Sequence, residues 1–235
     1  MFRVDLVTLF PEIFAPAIAL SIIGRAQERG IVSIAIHDIL DALTPGERAD
    51  DRPYGGGPGM VLRVEPLARI LDAIVAAAPE GERRAVVVTS PSGRQFRHAD
   101  AERLAGLDRV VFVCGHYEGI DDRLSALYGA EELSLGDFVL TGGEIPALAF
   151  LDATVRLRAG TVSAESLAQE SFGDGGLDAP AFTRPAVFRG AEVPDVLLSG
   201  DHARIAEWRR QRSRDRTLAR RPDLVEKPES PVTEH

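Results

Sequence analysis

The sequence predicts an α/β protein with a mainly parallel sheet, followed by a small helical domain. Short β-rich runs alternate with helical patterns through the first two-thirds of the chain. Two of these runs, residues 85–89 and 110–114, are nearly continuous in apolar β-formers, as strands buried on both faces are. After residue 160 this alternation stops, and an arginine-rich helical pattern follows near the C-terminus.

The predicted elements follow one another in a regular order. Residues 2–9 and 31–36 are predicted strands. Pro11 and Gly30 give the start and stop signals of a helical stretch between them. Before the third strand, apolar residues recur at helical spacing and predict a helix with one apolar face: Leu67, Ile70, Leu71, Ile74 and Val75. A helix over residues 145–157 ends this part of the chain.

Composition excludes several classes of protein. The 235 residues are 45% hydrophobic, which is enough for a sizeable core. The single cysteine, Cys114, excludes an internal disulfide and a zinc site built on paired cysteines. Lys227 is the only lysine, so a P-loop lysine or Schiff-base lysine is excluded from the body of the chain. Neither a secretory signal nor a membrane-length apolar run is present, so we expect a cytoplasmic protein without membrane contact.

Charge is distributed unevenly along the chain. The net charge of -9 disfavours nucleic-acid binding if it is treated as uniform. Residues 203–222, however, contain eight arginines against Glu207 and Asp215, a local excess of six positive charges. This segment is either a basic arm that binds nucleic acid or a solvated helix whose arginines pair with acidic neighbours. Charge alone does not decide between the two interpretations.

Three glycine-rich loops indicate a binding site. They are PYGGGPGM at 53–60, CGHYEGIDD at 114–122 and SLGDFVLTGGEIP at 134–146. The first does not match the dinucleotide fingerprint, because Met60 stands where a third glycine is required. Two of the loops and the segment TSPSGR at 89–94 follow predicted strands, and ligands of open α/β sheets bind at such strand ends. One such loop alone would indicate a turn, whereas several together indicate a ligand site.

Six motifs carry a family resemblance along the whole chain. Three are the loops above, and the others are TRP at 183–185, VPDVLLSGDHA at 193–203 and RRPDL at 220–224. In order and spacing the sequence resembles the TrmD family of bacterial tRNA (guanine-37 N1)-methyltransferases. The resemblance implies a SPOUT-class α/β fold with a deep trefoil knot and an obligate homodimer. It also implies S-adenosylmethionine as methyl donor and a tRNA with guanine at position 37 as partner.

Three parts of the chain are expected to have different roles. Residues 1–160 are expected to form the knotted catalytic domain that binds S-adenosylmethionine. Residues 161–174 are a flexible linker that orders on ligand binding, and residues 175–235 are a helical domain that binds tRNA. The residues implied in cofactor binding are Pro91, Gly93, Gly115, Tyr117, Glu118, Leu135, Gly136, Asp137, Phe138, Val139, Leu140, Gly142 and Gly143. Core packing is the alternative interpretation for Leu135, Val139 and Leu140.

Two catalytic residues follow from the same resemblance. Guanine N1 carries a proton at neutral pH, so its methylation needs a base. The family's base, an aspartate just before Ser-Phe, maps to Glu170, whose side chain is one methylene longer. The family's arginine that polarises the guanine oxygen maps to Arg156. The alternative roles are a solvated linker carboxylate for Glu170 and a helix-end charge for Arg156.

Histidines and metals have lesser roles in this interpretation. His116 lies in the cofactor loop and is interpreted as a positioning residue, not a base. A metal site built on His37, His98 and His202 is rejected because these residues lack characteristic spacing. Magnesium is implied by the resemblance, without an assignable set of ligands. Two other functions remain open: a related knotted RNA methyltransferase with a different target base, and a non-catalytic RNA-binding scaffold. Binding of S-adenosylmethionine would exclude the scaffold.

Overall fold

The computed structural model describes residues 1–173 and 175–225. The chain divides into two compact units, Met1–Ser163 and Ala164–His235. The division falls inside the segment predicted as a linker, residues 161–174. Residues 226–235 of the predicted C-terminal domain lie outside the described part of the chain.

A five-stranded parallel sheet forms the centre of the first unit, as the sequence predicts. The strands of this unit are β1 Phe2–Thr8, β2 Val32–Asp38, β3 Asp50–Asp51, β4 Val61–Leu62, β5 Arg84–Gln95, β6 Arg109–Cys114 and β7 Glu131–Ser134. Their order in the sheet is β2-β1-β6-β5-β7, while β3 and β4 pair separately as an antiparallel ribbon. Strands β6, β5 and β7 are therefore neighbours, and their carboxyl ends share one edge of the sheet.

Helices cover both faces of the sheet. The α-helices of the first unit are α1 Phe14–Ile18, α2 Ser21–Glu28, α3 Val64–Ala76, α4 His98–Ala105, α5 Arg123–Tyr128 and α6 Glu144–Val155. Strand β6 is buried along its whole length, because its side chains alternate between two apolar clusters. Val110, Phe112 and Cys114 join the cluster that contains residues of α6, whereas Val111 and Val113 join the cluster that contains residues of α3. The unit thus has three layers, helix on sheet on helix.

The predicted helical stretch between Pro11 and Gly30 is interrupted. It consists of a 3-10 helix at Pro11–Ile13 followed by α1 and α2. The break lies where Ser21 adopts a left-handed conformation, with φ +56°. Gly24 permits the sharp turn, because a Cβ there would lie 2.4 Å from the carbonyl oxygen of Ala19. Start and stop signals indicate only where a helical stretch begins and ends, so they do not predict a break inside it.

Strand β7 and helices α4 and α5 do not follow from the sequence patterns used above. β7 is only four residues long and begins with two glutamates, which are depleted in strands. It occupies one edge of the sheet, where polar residues are tolerated because one side of the strand stays unpaired. Strand β5 continues to Gln95, beyond its predicted end at residue 89. Its pairing with β7 is irregular between Thr89 and Arg94.

The second unit contains short elements and one long helix. They are α7 Ala164–Leu167, β8 Val187–Phe188, β9 Ala191–Glu192, α8 Asp195–Leu198, α9 His202–Arg220 and a 3-10 helix at Pro222–Leu224. Asp201 caps α9, since its carboxylate accepts hydrogen bonds from the amides of Ala203 and Arg204, each 3.1 Å long. Buried Thr217 connects α9 to the segment between α7 and β8, because its hydroxyl accepts a 2.9 Å hydrogen bond from the amide of Leu177.

None of the helices in residues 1–173 and 175–225 combines the length and the apolar character needed to cross a membrane.

Candidate functional site

The loops after three neighbouring strands converge on one open cleft of about 320 Å³. Residues 90–92 follow the regular part of β5, residues 115–122 follow β6, and residues 135–143 follow β7. Because the strands are parallel, their carboxyl ends place these loops side by side. The cleft thus lies where the glycine-rich loops predicted a ligand site.

Most of the residues implied in cofactor binding line this cleft. The ones that do are Pro91, Gly115, Tyr117, Glu118, Leu135, Phe138, Val139, Leu140, Gly142 and Gly143. The remaining three, Gly93, Gly136 and Asp137, are not among its lining residues. The fold therefore brings together residues that are up to 52 positions apart in the sequence.

Gly93 and Gly136 lie close to the residues that form the cleft walls. A Cβ at Gly93 would lie 2.5 Å from the carbonyl carbon of Glu132, so only glycine allows β5 to approach β7 this closely. A Cβ at Gly136 would lie 2.8 Å from the ring of Phe138. Asp137 is exposed. Contact of these three residues with a cofactor stays a prediction.

Apolar side chains stand exposed around the cleft. Val139 is 82% exposed, Phe138 54% and Leu140 40%. Core packing within this chain therefore does not account for Val139, which was the alternative interpretation of that residue. Tyr117, on the neighbouring loop, is also largely exposed. These side chains give the cleft an apolar rim that suits a flat, partly apolar ligand.

One wall of the cleft consists of bare backbone. The amide of Gly143 donates a 2.8 Å hydrogen bond to the carbonyl of Gly115 and so joins the loops after β6 and β7. A Cβ at Gly143 would lie 2.0 Å from Oγ1 of Thr89 and 2.6 Å from the amide nitrogen of Gly115. Only glycine fits this position, because any side chain would collide with Thr89 and with the loop after β6.

Tyr117 occupies a strained backbone conformation inside the site. Its φ is +60°, in the left-handed region that favours glycine. The turn around it is closed by a 3.0 Å hydrogen bond from the amide of Gly119 to the carbonyl of His116. Such strain at a cleft residue is typical of positions fixed for ligand contact.

The first glycine-rich loop, residues 53–60, packs behind the cleft and does not line it. The amide of Glu118 donates a 3.0 Å hydrogen bond to the carbonyl of Met60. A Cβ at Gly59, where φ is +80°, would lie 2.4 Å from Oε1 of Glu118. This loop therefore supports the cleft residue Glu118 from behind.

Several cleft residues were not identified from the sequence. Ser125 of α5 and Glu132 of β7 line the cleft, and the Ser125 hydroxyl donates a 3.4 Å hydrogen bond to the Glu132 carboxylate. Both belong to elements that the patterns did not reveal. Asp121 also lines the cleft and lies in the predicted loop 114–122, although no role was assigned to its side chain; hydrogen bonds from the Arg123 guanidinium hold its pKa below the usual range. A single polar residue in a short element gives no sequence signal of this kind.

The two residues implied in catalysis belong to different units. Arg156 caps the C-terminus of α6 in the first unit and is half-buried. Gly143, at the cleft, caps the other end of the same helix, so the two positions are roughly 20 Å apart along α6. Glu170 lies in the second unit, three residues after α7.

The chain around Glu170 is tied down within the second unit. The Ser171 hydroxyl donates a 2.8 Å hydrogen bond to the Asp178 carboxylate and accepts a 3.0 Å bond from the Asp178 amide. The amide of Phe172 donates a 2.6 Å hydrogen bond to the carbonyl of Gly176. These hydrogen bonds connect residues 171–172 with residues 176–178, and flexibility of the segment 161–174 stays a prediction. Ordering of this segment by ligand stays a prediction.

Helix α9 contains most of the arginines of the predicted basic arm. Some of these arginines pair with acidic neighbours: Arg210 with Glu207, and Arg212 with Asp215 at 3.2 Å. Four others make no ion pair within residues 1–173 and 175–225, namely Arg204, Arg209, Arg214 and Arg220. The interpretation as a helix whose arginines pair with acidic neighbours is therefore correct for some of these arginines, whereas nucleic-acid binding by the others stays a prediction.

Metal binding has no evident site in the described part of the chain. Within it, no group of three histidine, cysteine, aspartate or glutamate side chains lies close enough together to hold a metal ion. His37 instead pairs with Asp5 at 2.7 Å, and His98 lies 3.8 Å from Glu102.

Comparison with known proteins gives consistent matches along the chain. Residues 2–227 match the family model described as tRNA (Guanine-1)-methyltransferase TrmD. A protein of Geobacter sp. (strain M21), named tRNA (guanine-N(1)-)-methyltransferase, is 49% identical over 95% of this chain and 90% of its own. Proteins of the same name from Frankia alni and Synechococcus sp. (strain WH7803) are each 50% identical, covering 95% and 96% of this chain and 84% and 93% of their own.

Proposed function

The chain belongs to the TrmD family of tRNA (guanine-1)-methyltransferases, and on this premise we propose that it methylates guanine 37 of tRNA at N1. The methyl donor is S-adenosylmethionine, and the acceptor lies next to the anticodon. The observation that carries the proposal is the cleft at the ends of β6, β5 and β7. Ten of the thirteen residues that the family resemblance implies in cofactor binding line it.

The cleft fits S-adenosylmethionine in size and chemistry. Its volume of about 320 Å³ lies within the range of small-molecule sites, which is about 300–1,000 Å³. The exposed side chains of Phe138, Val139 and Leu140 can cover the faces of an adenine. We assign the hydrogen bonds to the adenine edge to main-chain groups of the loops that line the cleft, residues 115–119 and 141–143. When bound, the donor supplies an activated methyl group on its sulfonium.

The reaction requires the protein to handle one proton. As the bond from the methyl carbon to guanine N1 forms and the bond from carbon to sulfur breaks, the N1 proton leaves. We assign its acceptance to the carboxylate of Glu170, and general-base help of this kind contributes about 10²–10⁴-fold to the rate. The Arg156 guanidinium donates to the guanine oxygen and stabilises the negative charge that develops there. S-adenosylhomocysteine and 1-methylguanine are the products.

The position of Arg156 supports a homodimer as the working unit. Within one chain, Arg156 lies roughly 20 Å along α6 from Gly143 at the cleft. A second copy could supply this arginine to the cleft. The deep trefoil knot implied by the resemblance would account for the close association of the three cleft loops. A two-fold assembly is also the commonest oligomer of soluble proteins.

We assign tRNA binding to the second unit. The unpaired arginines of α9 can contact backbone phosphates, which dominate the affinity of proteins for nucleic acids. The whole chain has a net charge of -9 although this segment is basic, so the rest of the chain is acidic, which limits non-specific binding and directs RNA to this surface. The enzyme would work in the cytoplasm, where it meets its tRNA substrate.

Calorimetry and single-turnover kinetics together test the proposed function. We expect stoichiometric binding of S-adenosylmethionine, followed by methyl transfer to a tRNA transcript with guanine at position 37. A transcript with adenine at this position should stay unmethylated. Absence of cofactor binding would contradict the proposal and favour a non-catalytic RNA-binding scaffold.

A further inference from the structure

A buried carboxylate, Glu144, lies directly behind the wall of the cleft. Its side chain is 3% exposed and belongs to the first turn of α6. It is not among the residues that line the cleft. The resemblance to the family assigns no role to this residue, and a buried carboxylate needs a structural or functional reason because it loses its hydration.

Both carboxylate oxygens of Glu144 have partners from other elements. Oε1 accepts a 2.7 Å hydrogen bond from the hydroxyl of Thr8, at the end of β1. Oε2 lies 3.0 Å from Nε2 of His116, in the loop after β6. The Thr8 hydroxyl in turn accepts a 2.9 Å hydrogen bond from the amide of Phe10, whose ring lies 4.8 Å from that of His116 between centroids. The carboxylate therefore joins three separate parts of the first unit.

The two partner loops meet directly beside this carboxylate. His116 and Gly142 form an isolated antiparallel bridge. A Cβ at Gly142 would lie 2.2 Å from Nε2 of His116 and 2.4 Å from Oε2 of Glu144, so the hydrogen-bonded pair packs against the bare backbone. Both His116 and Gly142 line the cleft.

We propose that Glu144 is a positioning residue that holds the loops of residues 115–119 and 141–143 in their ligand-binding arrangement through His116 and Thr8. The inference rests on the proposed function, because it takes S-adenosylmethionine as the ligand of this cleft. Loss of the carboxylate leaves His116 without its partner and frees the bridge to Gly142. The loops then have to be ordered when the cofactor binds, which lowers the affinity.

The effect on the loops can be measured without any cofactor. In the cofactor-free protein, Glu144→Ala should accelerate hydrogen exchange selectively at the amides of Gly119 and Gly143. These amides donate to the carbonyls of His116 and Gly115, at 3.0 and 2.8 Å, and so report the closure of the two loops. Uniform acceleration across the sheet, or none at these amides, would overturn the proposal.

The effect on the cofactor separates binding from turnover. We expect Glu144→Ala to raise the Kd and KM for S-adenosylmethionine about tenfold, within the usual range for one hydrogen-bond network. At saturating cofactor, kcat should stay within about twofold of wild type, because Glu144 does not touch the reacting atoms. A lower kcat with an unchanged KM would overturn the proposal.

Three further variants make the test specific. Glu144→Gln keeps a group able to bond both Thr8 and His116, so it should retain affinity to within about threefold. The double variant His116→Ala with Glu144→Ala should lose less affinity than the sum of the two single losses, because the two residues share one contact. Asp5→Asn is the matched control, since Asp5 is also a buried carboxylate paired with a histidine, His37, at 2.7 Å. It should lower the Tm without changing the Kd.

The outcomes distinguish this inference from the function on which it rests. Wild-type protein that fails to bind S-adenosylmethionine contradicts the proposed function, and with it the ligand assigned to these loops. Wild-type binding combined with an unchanged Kd in Glu144→Ala contradicts the positioning role alone. Equal loss of affinity in Asp5→Asn and Glu144→Ala would also overturn it, because both would then act through general stability.

Discussion

Glu170 differs by one methylene from the aspartate that the family resemblance leads us to expect at this position. Both side chains are carboxylates with similar unperturbed pKa values, so the exchange leaves proton acceptance possible and changes only its geometry. The neighbouring residue, Ser171, forms two hydrogen bonds with Asp178. The extra methylene therefore changes how far the carboxylate reaches from this backbone position.

Substitution of Glu170 tests its role as base. Glu170→Gln should slow single-turnover methylation by about 10²–10⁴-fold, because the amide cannot accept the N1 proton. Glu170→Asp keeps the carboxylate and should lose much less. Single-turnover rates with saturating enzyme measure both variants, and the Kd for S-adenosylmethionine serves as the control. A near wild-type rate for Glu170→Gln would exclude Glu170 as the base.

Replacement of Gly143 should directly weaken binding at the proposed cofactor site. The added Cβ of Gly143→Ala would lie 2.0 Å from Oγ1 of Thr89, so the loops after β6 and β7 must separate. We expect the Kd for S-adenosylmethionine to rise at least about tenfold, as expected when a preformed site loses its geometry. Gly106→Ala is the matched control, because its Cβ would meet two carbonyl oxygens at 3.3 and 3.7 Å, and Gly106 does not line the cleft. Equal affinities in the two variants would contradict this account.

At the scale of elements, the sequence predicts the central strands and misses those at the margin. β6 is buried on both faces, and its continuous apolar run predicts it nearly to the residue. β7 begins with Glu131 and Glu132 and lies at a sheet edge, so neither composition nor alternation marks it. The loop that follows β7 still indicates the site, because its glycine-rich motif can be recognised in the sequence. Ser125, Glu132 and Glu144 give no such signal, since a single polar residue becomes meaningful only through its neighbours in space.

Helix α9 provides a test of the nucleic-acid surface. Arg204→Gln and Arg209→Gln remove arginines without an ion pair in the part of the chain that the structure describes. The slope of log K against log salt for tRNA binding is negative, and it should become less steep by about 0.7–0.9 for each phosphate contact removed.

The controls for α9 are the cofactor and an arginine of the first unit. Affinity for S-adenosylmethionine should not change in the α9 variants. Arg25→Gln removes an exposed arginine of α2 and should leave the salt slope unchanged. Equal slopes for wild type and both α9 variants would show that these arginines do not bind phosphate.

At the scale of the whole molecule, the proposed catalytic residues are distributed over two units. The cleft and Arg156 belong to the first unit but lie at opposite ends of α6, and Glu170 belongs to the second unit. The separation along α6 is the reason for proposing an active site that a second copy of the chain completes.

Mixed dimers test this arrangement. At a concentration of S-adenosylmethionine well below the Kd of Gly143→Ala, Arg156→Ala and Gly143→Ala should each have little activity, whereas dimers that contain one of each should have one intact cleft opposite one intact arginine. Co-expression should therefore recover about a quarter of wild-type activity, because half of the randomly formed dimers are mixed and each has one complete site. Activity no higher than that of the single variants would show that each chain uses its own Arg156.

The central claim is that this protein transfers a methyl group to N1 of one guanine in tRNA, and mapping of the methylated nucleotide tests it most directly. Purified protein, S-adenosylmethionine and an unmodified tRNA transcript are incubated, and the RNA is digested and analysed by mass spectrometry. Our account predicts 1-methylguanine at position 37 and nowhere else. Methylation of another base or position would contradict it, as would an unmodified transcript.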